Sequence, residues 1–210
     1  VNTGIVNGGV GVNTLKLTGA DMMLDLTLAT VQSKVDNFSV IDITGTGNNT
    51  LKLNMSNLQT LSGAVDNVNT ASTDESQMLV VHGDSGDAVI LENTASWTVA
   101  NSLTGASLSS AYGAEYGFVL GSPIRKYTQY TKNGVTLIVD DTTAVADMVG
   151  TSGADVMTGT ANADVIYGNG GADQITAGAG NDTVIVNVNS VSTLAASNTA
   201  MVDGRTGVNS

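Results

Sequence analysis

Four aspartates spaced nine residues apart are the side chains in this sequence best suited to chemistry. They are Asp155, Asp164, Asp173 and Asp182, and residues 150–185 around them read GTSGADVMT, GTANADVIY, GNGGADQIT and AGAGNDTVI. Each aspartate is the sixth residue of its unit. Carboxylates are hard oxygen ligands, and calcium accepts roughly six to eight oxygens in loose geometry, whereas magnesium demands a stricter octahedron with more water. The pattern therefore indicates calcium binding.

The period of nine predicts how the aspartates are positioned. A helix repeats its apolar residues every third or fourth position and a strand every second, so a period of nine fits neither alone. Glycine-rich halves favour tight turns, since glycine reaches positive φ at little cost. The eighth residues, which would point inward from short strands, are Met157, Ile166, Ile175 and Val184. The segment is expected to form a parallel β-roll of about two coils.

Stacked turns would place the carboxylates of successive coils in one row, where their repulsion opens the roll unless a cation lies between them. Glycine-rich turns also expose backbone carbonyls, which calcium accepts as ligands. The alternative is a solvated Gly/Asp/Asn loop without metal.

Composition restricts the remaining function classes. The 210 residues carry 19 acids and 7 bases, a formal net charge of −12, which argues against a nucleic-acid partner. Asp outnumbers Glu, which favours β structure with acidic loops. Cysteine is absent, so no disulfide is expected. No apolar run is long enough for membrane insertion, and residues 1–20 lack a signal-peptide pattern, so an internal piece of a longer polypeptide is expected.

The N-terminal part repeats a related motif. Residues 9–17 recur at residues 45–53 with seven of nine identical, and Asn13 and Asn49 stand where the roll has aspartate. Asparagine is at best a neutral oxygen ligand, so we expect structural relatives of the roll there.

Strands are predicted at residues 22–28, 40–43, 78–81 and 88–91, and a hairpin at 127–139 around Asn133-Gly134. The fold class is therefore predicted as all-β, with a β-sandwich-like N-terminal part containing hairpins. The expected domains are residues 1–149, the roll at 150–190, and a linker with the start of a further repeat at 191–210.

Asp84 and Asp87 lie three apart on a glycine turn, where they either bind calcium or form a solvated hairpin loop. Beside them, His82 is expected at the surface. It has no nucleophile motif to serve, and the adjacent Asp140 and Asp141 point to opposite faces of a strand. We therefore expect no catalytic residue and no enzyme.

Aromatic residues concentrate in residues 97–123, which contain Trp97, Tyr112, Tyr116 and Phe118. This segment is either an insertion whose aromatics fill the core or a surface loop that binds a glycan or peptide.

The two ends of the sequence are similar. Residues 2–14 align with residues 198–210 with seven identities in thirteen, at an offset of 196. A tandem array with neighbouring copies of the same unit is one explanation, and chance similarity of two Gly/Asn turns is the other.

The nonapeptides resemble the RTX family, whose repeat has the pattern G-G-x-G-x-D-x-U-x. The resemblance implies that calcium is shared between coils by the Asp side chains and by turn carbonyls at Gly153, Asn162, Gly171 and Gly180. The order of elements before the roll also resembles repeat regions of large RTX adhesins exported by type I secretion, and RTX surface-layer proteins. It implies an extracellular location at the cell surface or in a biofilm matrix, and a structural or adhesive role.

Overall fold

A computed structural model describes residues 4–61, 77–118, 124–151, 153–185 and 201–203. The chain divides into two compact units. Unit 1 comprises residues 1–87 and 97–143, and unit 2 comprises residues 88–96 and 144–210. Among the residues described, no helix is both long and apolar enough to cross a membrane.

Strands predominate. In chain order the first strands and helices are β1 (Val6–Asn7), β2 (Thr14–Lys16), β3 (Met23–Asp25), α1 (Ala29–Gln32), β4 (Val35–Asp36), β5 (Val40–Asp42), β6 (Thr50–Leu53), α2 (Met55–Leu61), β7 (Met78–His82), β8 (Ala88–Leu91), β9 (Thr98–Thr104) and α3 (Gly105–Tyr112). They are followed by β10 (Lys126–Lys132), β11 (Val135–Asp140), β12 (Ala144–Ala146), β13 (Met148–Val149), β14 (Val156–Thr158), β15 (Val165–Tyr167), β16 (Gln174–Thr176), β17 (Thr183–Ile185) and β18 (Met201–Asp203). Short 3-10 helices cover Thr94–Ser96 and Ala114–Tyr116.

Unit 1 begins as stacked coils. Val6, Leu15 and Leu24 lie nine residues apart in β1, β2 and β3, and these strands pair in parallel with β4, β5 and β6. Each turn of chain therefore lays its strands on the strands of the turn before. This differs from the hairpin-linked sandwich expected for residues 1–149, because strands that follow one another along the chain stack on the next coil instead of on each other.

The main sheet of unit 1 has the order β2-β5-β7-β11-β10-β9. Its first four strands are parallel, whereas β10 pairs antiparallel with β11 and with β9. The predicted hairpin is confirmed, with Asn133 and Gly134 at φ angles of 50° and 79°, the left-handed values that its tight turn requires.

The aromatic segment fills the core of unit 1. Tyr116 and Phe118 are almost fully buried and pack with Tyr127 and Leu108 in one hydrophobic cluster. Helix α3 covers this cluster, and the Thr104 side chain caps it by accepting the Ser107 N–H at 3.1 Å. Residues 119–123 lie outside the described residues.

Unit 2 contains the roll, by which we mean residues 150–185. One sheet has the order β13-β15-β17 and the other β14-β16-β18, and all pairs are parallel. Met157, Ile166 and Ile175 are buried between neighbouring strands as one hydrophobic cluster. The predicted parallel β-roll is therefore confirmed. Residues 88–96 and 144–149 also belong to this unit.

Candidate calcium sites

The register of the roll sorts its aspartates into two rows. Met157 pairs with Ile175 and Ile166 pairs with Val184, so one coil takes 18 residues, or two nonapeptides. Asp155 and Asp173 consequently precede neighbouring strands of one sheet, and Asp164 and Asp182 those of the other. The expectation of a single row was wrong, because every second nonapeptide returns to the same side.

Within each row, a backbone N–H links one aspartate to the next. The Asp155 N–H donates to Asp173 Oδ1 at 3.1 Å, and the Asp164 N–H donates to Asp182 Oδ1 at 3.1 Å. The carboxylates thus lie against the neighbouring coil, on the same side as the turn carbonyls of that coil.

The second carboxylate oxygen differs between turns. Asp155 Oδ2 accepts the Thr151 N–H at 2.7 Å, and Asp164 Oδ2 accepts the Thr160 N–H at 2.6 Å. Asp173 Oδ2 is buried and has no hydrogen-bond partner among the described residues. A buried polar atom without a partner costs about 1–3 kcal/mol, and more when it is charged. Asp173 therefore has an oxygen available for a cation.

The electrostatics of the roll also fit a cation. Asp164, Asp173 and Asp182 are only 9%, 5% and 1% exposed. Burial raises the pKa of Asp173, and the negative charge of Asp155 acts in the same direction. The sequence has no Lys or Arg between residues 133 and 204, so no side chain of the roll itself supplies a positive charge.

Turn glycines bring backbone carbonyls close to the neighbouring coil. Gly171 has a φ of 98°, and a β-carbon there would collide with the carbonyl oxygen of Gly153. Gly180 has a φ of 125°, and its β-carbon would lie 2.5 Å from the carbonyl oxygen of Asn162. The structure thus brings together the predicted turn residues as two pairs, each spanning adjacent coils.

Carboxylates alone do not make a site. Within the described ranges, no group of three or more His, Cys, Asp or Glu side chains is arranged to hold a metal ion. A cation in the roll therefore has to take backbone carbonyls in addition to paired carboxylates, a mixed oxygen set that suits calcium. Asp155, Asp164, Asp173 and Asp182 with the carbonyls of Gly153, Asn162, Gly171 and Gly180 remain the predicted ligands.

Asp87 holds a turn in unit 1. It is fully buried, its Oδ1 accepts the Asn49 N–H at 2.8 Å, and its Oδ2 accepts the Asp84 N–H at 2.9 Å. Burial raises the pKa of Asp87, although both backbone hydrogen bonds oppose the rise. Asp84 itself is exposed. Calcium binding by this pair remains a prediction.

Asparagine replaces aspartate in unit 1 with a different chemistry. Asn13 Nδ2 donates to the carbonyl oxygens of Gly9 and Gly11 at 3.2 and 3.0 Å. Asn49 is fully buried and its Nδ2 donates to the Ile43 carbonyl at 2.9 Å. An amide nitrogen therefore occupies the turn carbonyls without adding a charge, so these turns need no cation.

A second group of carboxylates was missed by sequence reasoning, although it follows a motif. In each, an Asp accepts both the N–H and the hydroxyl of the Thr two residues later and pairs with a basic side chain. The three pairs are Asp25 with Lys52, Asp42 with Lys16, and Asp140 with Arg125. The recurring L-D-L-T and I-D-I-T at residues 24–27 and 41–44 were the available signal.

Two other predictions near these pairs have different outcomes. His82 is 4% exposed, with its Nε2 3.0 Å from the Tyr116 carbonyl oxygen, so the expectation of a surface histidine was wrong. Burial, the largest cause, lowers the pKa of His82. Asp140 is buried, whereas Asp141 is exposed and accepts the Thr128 hydroxyl at 2.7 Å, as expected of adjacent strand residues.

Comparison with known proteins agrees with the geometry. Residues 149–184 match a family model described as the RTX calcium-binding nonapeptide repeat, in four copies. Comparisons with curated proteins and with solved structures gave no match.

Proposed function

Residues 149–184 belong to the RTX calcium-binding nonapeptide repeats, and from this premise we propose that the chain is a structural module of a bacterial surface protein that folds its roll after export. RTX nonapeptide repeats bind calcium and occur in secreted extracellular bacterial proteins. The finer role, in a stalk, matrix or lattice, is the proposal.

The observation that supports it most directly is Asp173. Its carboxylate is 5% exposed, its Oδ2 has no hydrogen-bond partner among the described residues, and Asp155 lies next to it in the same row. Bound calcium would supply the positive charge that this pair of carboxylates lacks. The residues that would hold it are Asp155 and Asp173 with the carbonyls of Gly153 and Gly171.

Export gives this requirement a use. In a cytoplasm poor in calcium, the buried carboxylates repel and the glycine-rich chain gains too little from two short coils to stay folded. Outside the cell, calcium is abundant enough to fill even weak sites. Binding free energy then becomes folding free energy, since the unfolded chain has no preformed site.

The full chain tests the proposal by circular dichroism during calcium titration. We expect calcium to increase the β signal and excess chelator to reverse it. Asp173→Asn should raise the calcium concentration at the midpoint about tenfold or more, the effect of losing about 1.4 kcal/mol of binding. Asp36→Asn removes the same charge from an exposed residue of unit 1 and should leave the midpoint unchanged. An unchanged spectrum in chelator would refute calcium-dependent folding.

A second candidate function is glycan binding beside the aromatic segment. A pocket of about 310 Å³ is lined by Tyr112, Gln129 and Thr131, among others. An aromatic ring with amide and hydroxyl groups is a suitable surface for a sugar. Glycan-array binding that is lost in Gln129→Ala would support this function. Calcium-dependent fibres or sheets in electron micrographs, without glycan binding, would support the structural role alone.

A further inference from the structure

The final described strand, β18, continues the roll. It pairs in parallel with β16, Gln174 opposite Met201 and Ile175 opposite Val202. Val202 lies 27 residues, or three nonapeptides, after Ile175, so β18 keeps the nine-residue frame of the roll. The expectation of a linker at residues 191–210 therefore does not hold for residues 201–203.

The same frame begins the sequence. Val6, Leu15 and Leu24 lie nine residues apart in β1, β2 and β3. In the alignment of the two ends, Val202 corresponds to Val6, at the offset of 196 residues. Strands β1 and β18 are therefore the same position of one repeating frame, and both are strands in parallel sheets.

β1 has an open edge among the described residues. It pairs with β4 on one side, in a sheet of two strands. Next to this edge Ile5, Val6 and Val10 are 69%, 50% and 94% exposed, and exposed apolar residues on an unpaired strand favour pairing with another strand.

We propose that neighbouring copies of this unit join through these strands, with residues 5–7 of one copy pairing with β16 of the copy before it, where residues 201–203 lie in this chain. Such an array has no linker. Its coils continue from the roll of one copy into the first coil of the next, with a sheet order of β14-β16-β1-β4 across the junction. This inference deepens the proposed structural role and rests on it.

A protein with two copies tests the junction, with residues 1–196 followed by residues 1–210, kept in calcium throughout. Since Gln174 pairs with Met201 and Met201 aligns with Ile5, Gln174→Cys in the first copy and Ile5→Cys in the second should form a disulfide. The chain has no cysteine of its own, so a disulfide within one molecule can form only between these two residues.

A matched control keeps Gln174→Cys and moves the second cysteine to Val10, which is exposed and outside the strand. It should stay reduced under the same mild oxidation. Hydrogen exchange of the cysteine-free protein, with one copy isotope-labelled, provides an independent measurement. Amides of residues 5–7 should exchange about tenfold or more slowly in the second copy than in the first.

Equal exchange in the two copies, or disulfides formed equally in the test and control proteins, would overturn the junction. Neither result would affect the calcium titration of the single chain, so failure of the junction is distinguishable from failure of the calcium-binding role.

Discussion

Removing calcium from the full chain is expected to unfold the roll and to leave unit 1 folded. The two rows of aspartates in the roll imply at least two calcium sites. A site at a calcium concentration of 100 times its Kd contributes about 2.7 kcal/mol, so two sites contribute about 5 kcal/mol. A whole domain is typically stable by only about 5–15 kcal/mol, and loss of both ions is therefore enough to unfold a roll of four nonapeptides.

Unit 1 has replaced the ion by groups that belong to the chain. Asn49 Nδ2 donates to the Ile43 carbonyl at 2.9 Å, and Asn13 Nδ2 donates to the Gly11 carbonyl at 3.0 Å. Chelator removes neither amide. The free energy of unfolding of unit 1 should consequently be the same with and without calcium.

Hydrogen exchange with mass spectrometry separates the two responses within one molecule. In chelator, peptides covering β14 to β17 should lose protection by more than about a hundredfold, corresponding to at least about 2.7 kcal/mol. Peptides covering β5, β7 and β11 should keep their protection. Protected roll peptides in excess chelator would refute the calcium requirement, and simultaneous loss in both units would refute the role assigned to the asparagines.

Three further predictions concern single side chains. Because burial raises the pKa of Asp173 above its ordinary 3.8, the calcium-free roll should be most stable below about pH 4 and lose stability as the pH rises through the raised value. Melting in chelator should show this slope, and Asp173→Asn should remove it. Asn49→Asp should destabilise unit 1 by about 1–3 kcal/mol in urea titrations, whereas the exposed Asn101→Asp should have little effect, and equal losses would contradict the argument. Arg125→Met leaves a carboxylate that is 1% exposed without its cation and should cost about 3–5 kcal/mol. Lys16→Met breaks a pair whose lysine is 48% exposed and should cost less than about 1 kcal/mol; similar losses for both variants would be inconsistent with this difference.

The roll was predictable because its period is strict. Every ninth residue starting at Met157 is apolar, and the structure buries Met157, Ile166 and Ile175 as that period requires. The division of the aspartates into two rows was not predicted. It depends on the number of nonapeptides in a coil, which sequence spacing alone does not determine.

The parallel stacking of unit 1 was hidden by unequal coils. Thr14 pairs with Val40 after 26 residues, Val40 with Val80 after 40, and Met78 with Thr136 after 58. Insertions of different length lie between strands that pair, so no single period connects them. Local alternation predicted the strands, but their partners depend on tertiary packing.

The partner of each buried carboxylate determines which part of the chain can respond to its surroundings. Asp42 has Lys16 and Asp140 has Arg125, and these charges accompany the chain in every compartment. Residues 144–204 contain six aspartates and neither Lys nor Arg, so the positive charge for the roll has to come from solution. Calcium concentration differs across the cell envelope, whereas the charge of a lysine does not. The roll is consequently the part of this chain whose folding depends on export, and unit 1 is the part that stays the same on either side.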